Sequence, residues 1–184
     1  MDIDGILRQV NEAAPAPAEM EPSPRALTEG KPMRRTTGSG PRQWLLPGFG
    51  PLTRITTALG EVPAQALRER DMVRTREGNF KPIVWIDRIV VDEEFLSLHP
   101  DALPVMIKPN ALGRGLPNQP IFLAPRQELM PRSDWAGGER VNAVDLMGKP
   151  GIYRKAESSY TYTLFHLGEP AIVQAGKVFV PVDP

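Results

Sequence analysis

From Trp44 onward, short apolar runs alternate with polar residues and are broken every few positions by Gly, Pro, Asn or Asp. That pattern predicts many short strands joined by tight turns. Thr53-Arg54-Ile55-Thr56-Thr57 alternates as a strand, Ala58-Leu59-Gly60-Glu61 supplies a turn, and Val62-Pro63-Ala64 resumes the extended run. Met72-Val73-Arg74-Thr75 leads to Glu77-Gly78-Asn79, a hairpin tip whose Gly and Asn tolerate positive φ. Phe80 to Val91 predicts one long strand, bent or edge-placed at Pro82 because proline cannot donate to the ladder. Further strands are predicted at Val105 to Lys108, Ile121 to Ala124, Tyr160 to Leu167 and Ala171 to Gln174, with short helical cues around Gln65 to Arg70 and Ala143 to Met147. Asp92-Glu93-Glu94 is expected to be a solvated turn between strands: consecutive carboxylates point different ways, and the run lacks the glycine and distal glutamate of a calcium loop. The fold class is therefore mostly β, a single domain over residues 44 to 184.

Residues 1 to 43 differ in kind. Pro15, Pro17, Pro22, Pro24, Pro32 and Pro41 stand among Ala, Glu, Ser and Gly, with no aromatic residue. Such a composition buries too little apolar surface to offset ordering entropy, so the segment is expected to be a flexible tail. Within it Ile3, Ile6, Leu7, Val10 and Ala14 fall at helical spacing, with Asp2 or Asp4 as a cap and Pro15 as a stop. A helix of about 12 residues is marginal alone in water. Ile3, Ile6, Leu7 and Val10 thus form a candidate docking face over residues 2 to 14, a frayed peptide being the alternative.

Composition narrows the chemistry. Lysine plus arginine total 22 and aspartate plus glutamate total 22, so no net field gathers nucleic acid, and the Arg34-Arg35 pair is too few charges to do so alone. There is no cysteine, and His99 and His166 are the only histidines, which disfavours disulfides, thiolate chemistry and a metal centre; no cofactor is expected. No stretch approaches the ~18 apolar residues of a membrane helix, and the N-terminus lacks a basic region ahead of an apolar run. A cytoplasmic protein without membrane insertion is the default expectation. Trp44, Trp85 and Trp135 are expected as core and rim residues of a small β domain in preference to a carbohydrate pocket.

Four blocks carry a resemblance. Gly48-Phe49-Gly50-Pro51-Leu52-Thr53-Arg54-Ile55 is followed by Gly60-Glu61-Val62-Pro63 and by Arg70-Asp71-Met72-Val73. Pro82-Ile83-Val84-Trp85-Ile86 comes next, then Pro104-Val105-Met106-Ile107 with Ala111-Leu112-Gly113-Arg114-Gly115-Leu116-Pro117 and Ile121-Phe122-Leu123-Ala124-Pro125-Arg126-Gln127. The fourth block is Ser159 to Leu167 with Ala171 to Gly176. Together these resemble the Hint (Hedgehog/intein) family of bacterial Hint-like type, from about Gly48 to about Gly176, and imply that family's compact all-β fold.

The resemblance also implies where chemistry belongs. The family opens Cys-Phe-x-x-Gly-Thr-x-Ile, and its sulfur attacks the preceding carbonyl; here that position is Gly48. A middle-block histidine protonates the scissile amide, and its position is Gln127, which has no titratable proton near neutral pH. The late histidines fall on Thr163 and Glu169 in an ungapped alignment, and Pro184 stands where an Asn-Cys or Asn-Ser junction is usual. The implied reading is a catalytically inactive Hint-like module, tethered by its tail to a protein partner or larger assembly. The alternative is an autoprocessing protein with a non-standard nucleophile.

Overall fold

A computed structural model describes residues 44–131 and 138–184. The strands, in chain order, are β1 (Arg54–Thr57), β2 (Gly60–Pro63), β3 (Met72–Arg74), β4 (Phe80–Pro82), β5 (Trp85–Val91), β6 (Val105–Ile107) and β7 (Ile121–Leu123). They continue as β8 (Glu128–Leu129), β9 (Val141–Asn142), β10 (Ile152–Arg154), β11 (Tyr160–His166), β12 (Ala171–Ala175) and β13 (Val178–Val182), with one helix among the described residues, α1 (Glu93–Leu98). Single 3-10 turns stand at Ala64–Ala66, Pro100–Ala102 and Ala143–Leu146, two of them on the predicted helical cues. The fold is mostly β, as the alternation predicts.

A sheet runs β13-β12-β1-β3-β4 with β2 also on β1; β10-β6-β7, β11-β5 and β8-β9 complete the pairing, every pair antiparallel. Side chains alternate across a strand, and two strands use this to divide the interior. From β7 and the residue after it, Ile121 and Leu123 enter one apolar cluster with Phe49, Ile55, Val73, Val105 and Val180, while Phe122 and Ala124 enter a second. From β11 and the residue after it, Phe165 and Leu167 join the first cluster, and Tyr160 and Tyr162 the second. The second cluster also holds Trp44, Val91, Leu96 and Ala102.

Two expectations are corrected. Phe80 to Val91 is not one bent strand: β4 ends at Pro82 and β5 begins at Trp85 in a different sheet. The chain changes sheets at Ile83 and Val84, whose amides bond Asp71 and His166 carbonyls at 2.9 and 3.0 Å. Nor is Asp92-Glu93-Glu94 a simple turn. The Asp92 carboxylate accepts from the Phe95 amide at 2.8 Å and caps α1, with Glu93 and Glu94 in its first turn, where the helix dipole favours negative charge.

Candidate functional site

Gly48-Phe49-Gly50 is threaded between β7 and β11 as an extra central strand. Phe49 faces β11, donating to the Thr163 carbonyl at 2.9 Å and accepting from the Thr163 amide at 2.8 Å. Its neighbours face β7: the Gly50 amide donates to Phe122 at 2.7 Å, and the Gly48 carbonyl accepts from Ala124 at 2.9 Å. The Phe49 ring is buried and stacks on Phe165 with centroids 5.3 Å apart. Glycine is required on both sides of it. A methyl at Gly50 would overlap the Tyr160 hydroxyl and lie 2.6 Å from Phe122 Cβ. Gly48 has φ of +150°, and a methyl there would lie 3.0 Å from Tyr162 Cβ.

The amide N–H of Gly48 points away from both strands and donates to Gln127 Oε1 at 3.0 Å. Gln127 is buried, and its Nε2 donates to the carbonyls of Pro181 at 2.9 Å and Glu128 at 3.1 Å. Its backbone is fixed as well, the amide on Ala124 and the carbonyl on Ala143. The polarity of each partner sets the orientation of the carboxamide: an N–H meets its oxygen and two carbonyls meet its nitrogen. Gln127 therefore ties the Gly48 peptide to β13, and the group facing the Gly48 nitrogen is an acceptor.

A cleft of about 430 Å³ opens beside this peptide. Leu45, Pro47, Trp85, Leu164 and Phe165 give it apolar walls, while Arg126, Glu128, Asn142 and Asp183 supply polar groups. At the rim Arg140 lies 3.5 Å from Glu128 and 4.0 Å from Asp183; all three are exposed enough that these pairs contribute little to stability. Trp85 is itself 42% exposed and stacks on His166 at 5.4 Å.

A family model described as the Hint domain matches residues 47–180. The chain belongs to the Hint domain family. Among solved structures it is similar to the gp41-1 intein at 12% identity, covering 73% of this chain and 98% of the intein with a TM-score of 0.47. It is also similar to the MchDnaB-1 intein at 9% identity, covering 72% and 98% with a TM-score of 0.45. No curated protein matches.

Three of the positions named from the Hint resemblance, Gly48, Gln127 and Thr163, come together. Gln127 bonds Gly48 directly, and Thr163 pairs with the residue after it. The Thr163 hydroxyl is buried without a hydrogen-bond partner. Glu169 does not join them; its carboxylate pairs with Lys81 at 2.6 Å on the surface. His166 stays outside the cleft lining, with Nδ1 accepting from Gly168 at 3.1 Å. Thr53, expected as a structural element of the first strand, is fully buried: its hydroxyl donates to the Phe122 carbonyl at 2.8 Å and accepts the Phe122 amide at 2.9 Å. Trp44 is core, as expected; Trp85, expected in a core or rim in preference to a pocket, is half-exposed and lines the cleft, while Trp135 lies outside the described residues. The docking face Ile3, Ile6, Leu7 and Val10 lies outside them too. The cleft residues Arg126, Asn142 and Asp183 carried no sequence signal, because they converge only through the β8-β9 hairpin and the end of β13.

Among the described residues no helix is long and apolar enough to cross a membrane, and no group of three or more His, Cys, Asp or Glu is placed to hold a metal ion.

Proposed function

We propose that this Hint domain no longer processes itself and serves as a structural or protein-binding module, linked through residues 1 to 43 to a protein partner or larger assembly. The observation that carries the reading is the wiring of the peptide between Pro47 and Gly48. Acyl transfer at this peptide needs a nucleophile on the second residue, and glycine has none. Departure of its nitrogen needs a proton donor, and the facing group is the Gln127 carbonyl oxygen, which accepts. Thr53 does not supply a spare hydroxyl, since both its proton and a lone pair are engaged by Phe122. The cleft beside the peptide, apolar on one side and polar on the other, suits an extended segment of a partner.

The test is the intact mass of the purified chain before and after incubation with thiol or hydroxylamine at neutral pH. One unchanged species is expected. A fragment ending at Pro47 would refute the inactive reading and favour an autoprocessing domain.

A further inference from the structure

The polypeptide just ahead of Gly48 does not simply lead into the domain. Trp44 is buried in the second apolar cluster, its ring 5.7 Å from both Phe95, edge to face, and Tyr162. Its backbone amide donates to the Asp101 carboxylate at 2.6 Å, a charge-assisted bond, and its indole N–H donates to the Leu46 carbonyl at 2.8 Å. Leu45, Leu46 and Pro47, by contrast, are exposed. Among the described residues ahead of Gly48, the hold on the chain is concentrated at Trp44.

The groups that receive Trp44 are fixed without it. Tyr162 donates its hydroxyl to the Ala102 carbonyl at 2.6 Å, and Arg154 donates to the carbonyls of Asp101 and Leu103 at 2.6 and 3.1 Å. A binding surface held by its own bonds loses little entropy when it is filled. We propose that α1, the turn at Pro100–Ala102 and β11 form a socket for an indole side chain, and that the chain's own Trp44 occupies it. The socket keeps the leader on the domain whether or not the backbone ahead of Gly48 is continuous. This inference stands apart from the inactive reading and applies equally to a domain that cuts.

Pro47→Asn creates an Asn-Gly pair, a hydroxylamine-labile bond found nowhere else in the sequence. After cutting this variant, native size-exclusion with mass detection is expected to find the leader co-eluting with the body, and to find it released when Trp44→Ala is added. A leader that separates with Trp44 present, or stays without it, overturns the proposal. The uncut chain gives a second readout. Trp44→Gly is expected to lower the melting temperature by roughly 10 °C, from the cost of emptying a large buried aromatic site and the scaling for a domain of this size. Millimolar indole is expected to restore part of that loss, as small aromatics refill engineered cavities; a drop that indole leaves untouched counts against the socket. The parent chain in the same hydroxylamine reports self-cleavage separately.

Discussion

Gln127→Ala removes the acceptor of the Gly48 amide and the donor to the Pro181 carbonyl in one step, and both of those bonds are buried. Each orphaned backbone group costs about 1–3 kcal/mol of desolvation without compensation. The sum is about 2–6 kcal/mol, or a fall in melting temperature of roughly 4–24 °C at about 2–4 °C per kcal/mol for a domain of this size. Gln127→Glu separates the two halves of the clamp. It keeps an acceptor for Gly48 but sets a carboxylate against two carbonyls in a buried site, which raises its folded pKa above the unfolded value of about 4.3. Above the folded pKa the buried charge destabilises the fold. As pH falls through that value the carboxyl gains its proton, becomes a donor again, and the deficit relative to the parent shrinks. Thermal unfolding followed by circular dichroism at neutral and mildly acidic pH reads both effects. A Gln127→Ala chain that melts within about 2 °C of the parent, or a Gln127→Glu deficit independent of pH, would refute the assignment of Gln127 as a backbone clamp.

The two buried threonines flanking the site are expected to respond in opposite directions. Thr53→Val abandons two bonds to Phe122 and destabilises by about 2–4 kcal/mol, whereas Thr163→Val removes an unpartnered hydroxyl and is neutral or stabilising by up to about 1 kcal/mol, both measured by denaturant unfolding. Gly48→Cys is expected to restore no cleavage by intact mass and to destabilise by about 1–3 kcal/mol, since any side chain at this φ is strained. Tyr160 and Tyr162 both have their phenol pKa raised, chiefly by burial, with further contributions from Glu157 on the first and from Tyr160 on the second. The unfolded chain releases these protons at lower pH than the folded one, so their contribution is complete below about pH 10 and is lost as pH rises beyond it. Phenolate absorbance from these two residues is therefore expected to rise together with alkaline unfolding; since Tyr153 is exposed, a rise worth more than one tyrosine in a chain still folded by circular dichroism would contradict their burial.

The strands were legible where one face is buried and the other polar. Arg54–Thr57 follows its alternation, and Tyr160–His166 is legible because its aromatic and threonine positions suit a pleated surface. Three features were less accessible, each for a physical reason. The β13 strand contains Pro181, which argues against a paired strand from sequence, yet its carbonyl serves as a Gln127 acceptor. Helix α1 had a readable cap in Asp92 and two acids behind it, but a six-residue helix lacks the length over which apolar periodicity becomes visible. The part of the site formed by Gly48, Gln127 and Thr163 came from the Hint resemblance and not from periodicity. Arg126, Asn142 and Asp183 meet only after the chain has folded, and short-range pattern contains no information about such meetings.

Self-processing in a Hint domain asks one peptide to be held firmly for attack and then let go. In this chain both backbone polar groups of Gly48 are held. The Gly48 carbonyl is in the ladder with β7, its amide is on Gln127, and Gln127 is itself bonded to β13. Upstream, Trp44 fills the second cluster; downstream, Phe49 fills the first. The stretch from Trp44 to Gly50 therefore bridges both cores, and severing it would leave two aromatic side chains still seated on either side of the break. On the proposed reading, restoring a sulfur and an imidazole supplies reagents without a route of departure. On that reading no bond has to break at Gly48, so each contact there contributes stability without impeding a reaction, and Gly48 occupies a backbone region that a cysteine fits only under strain.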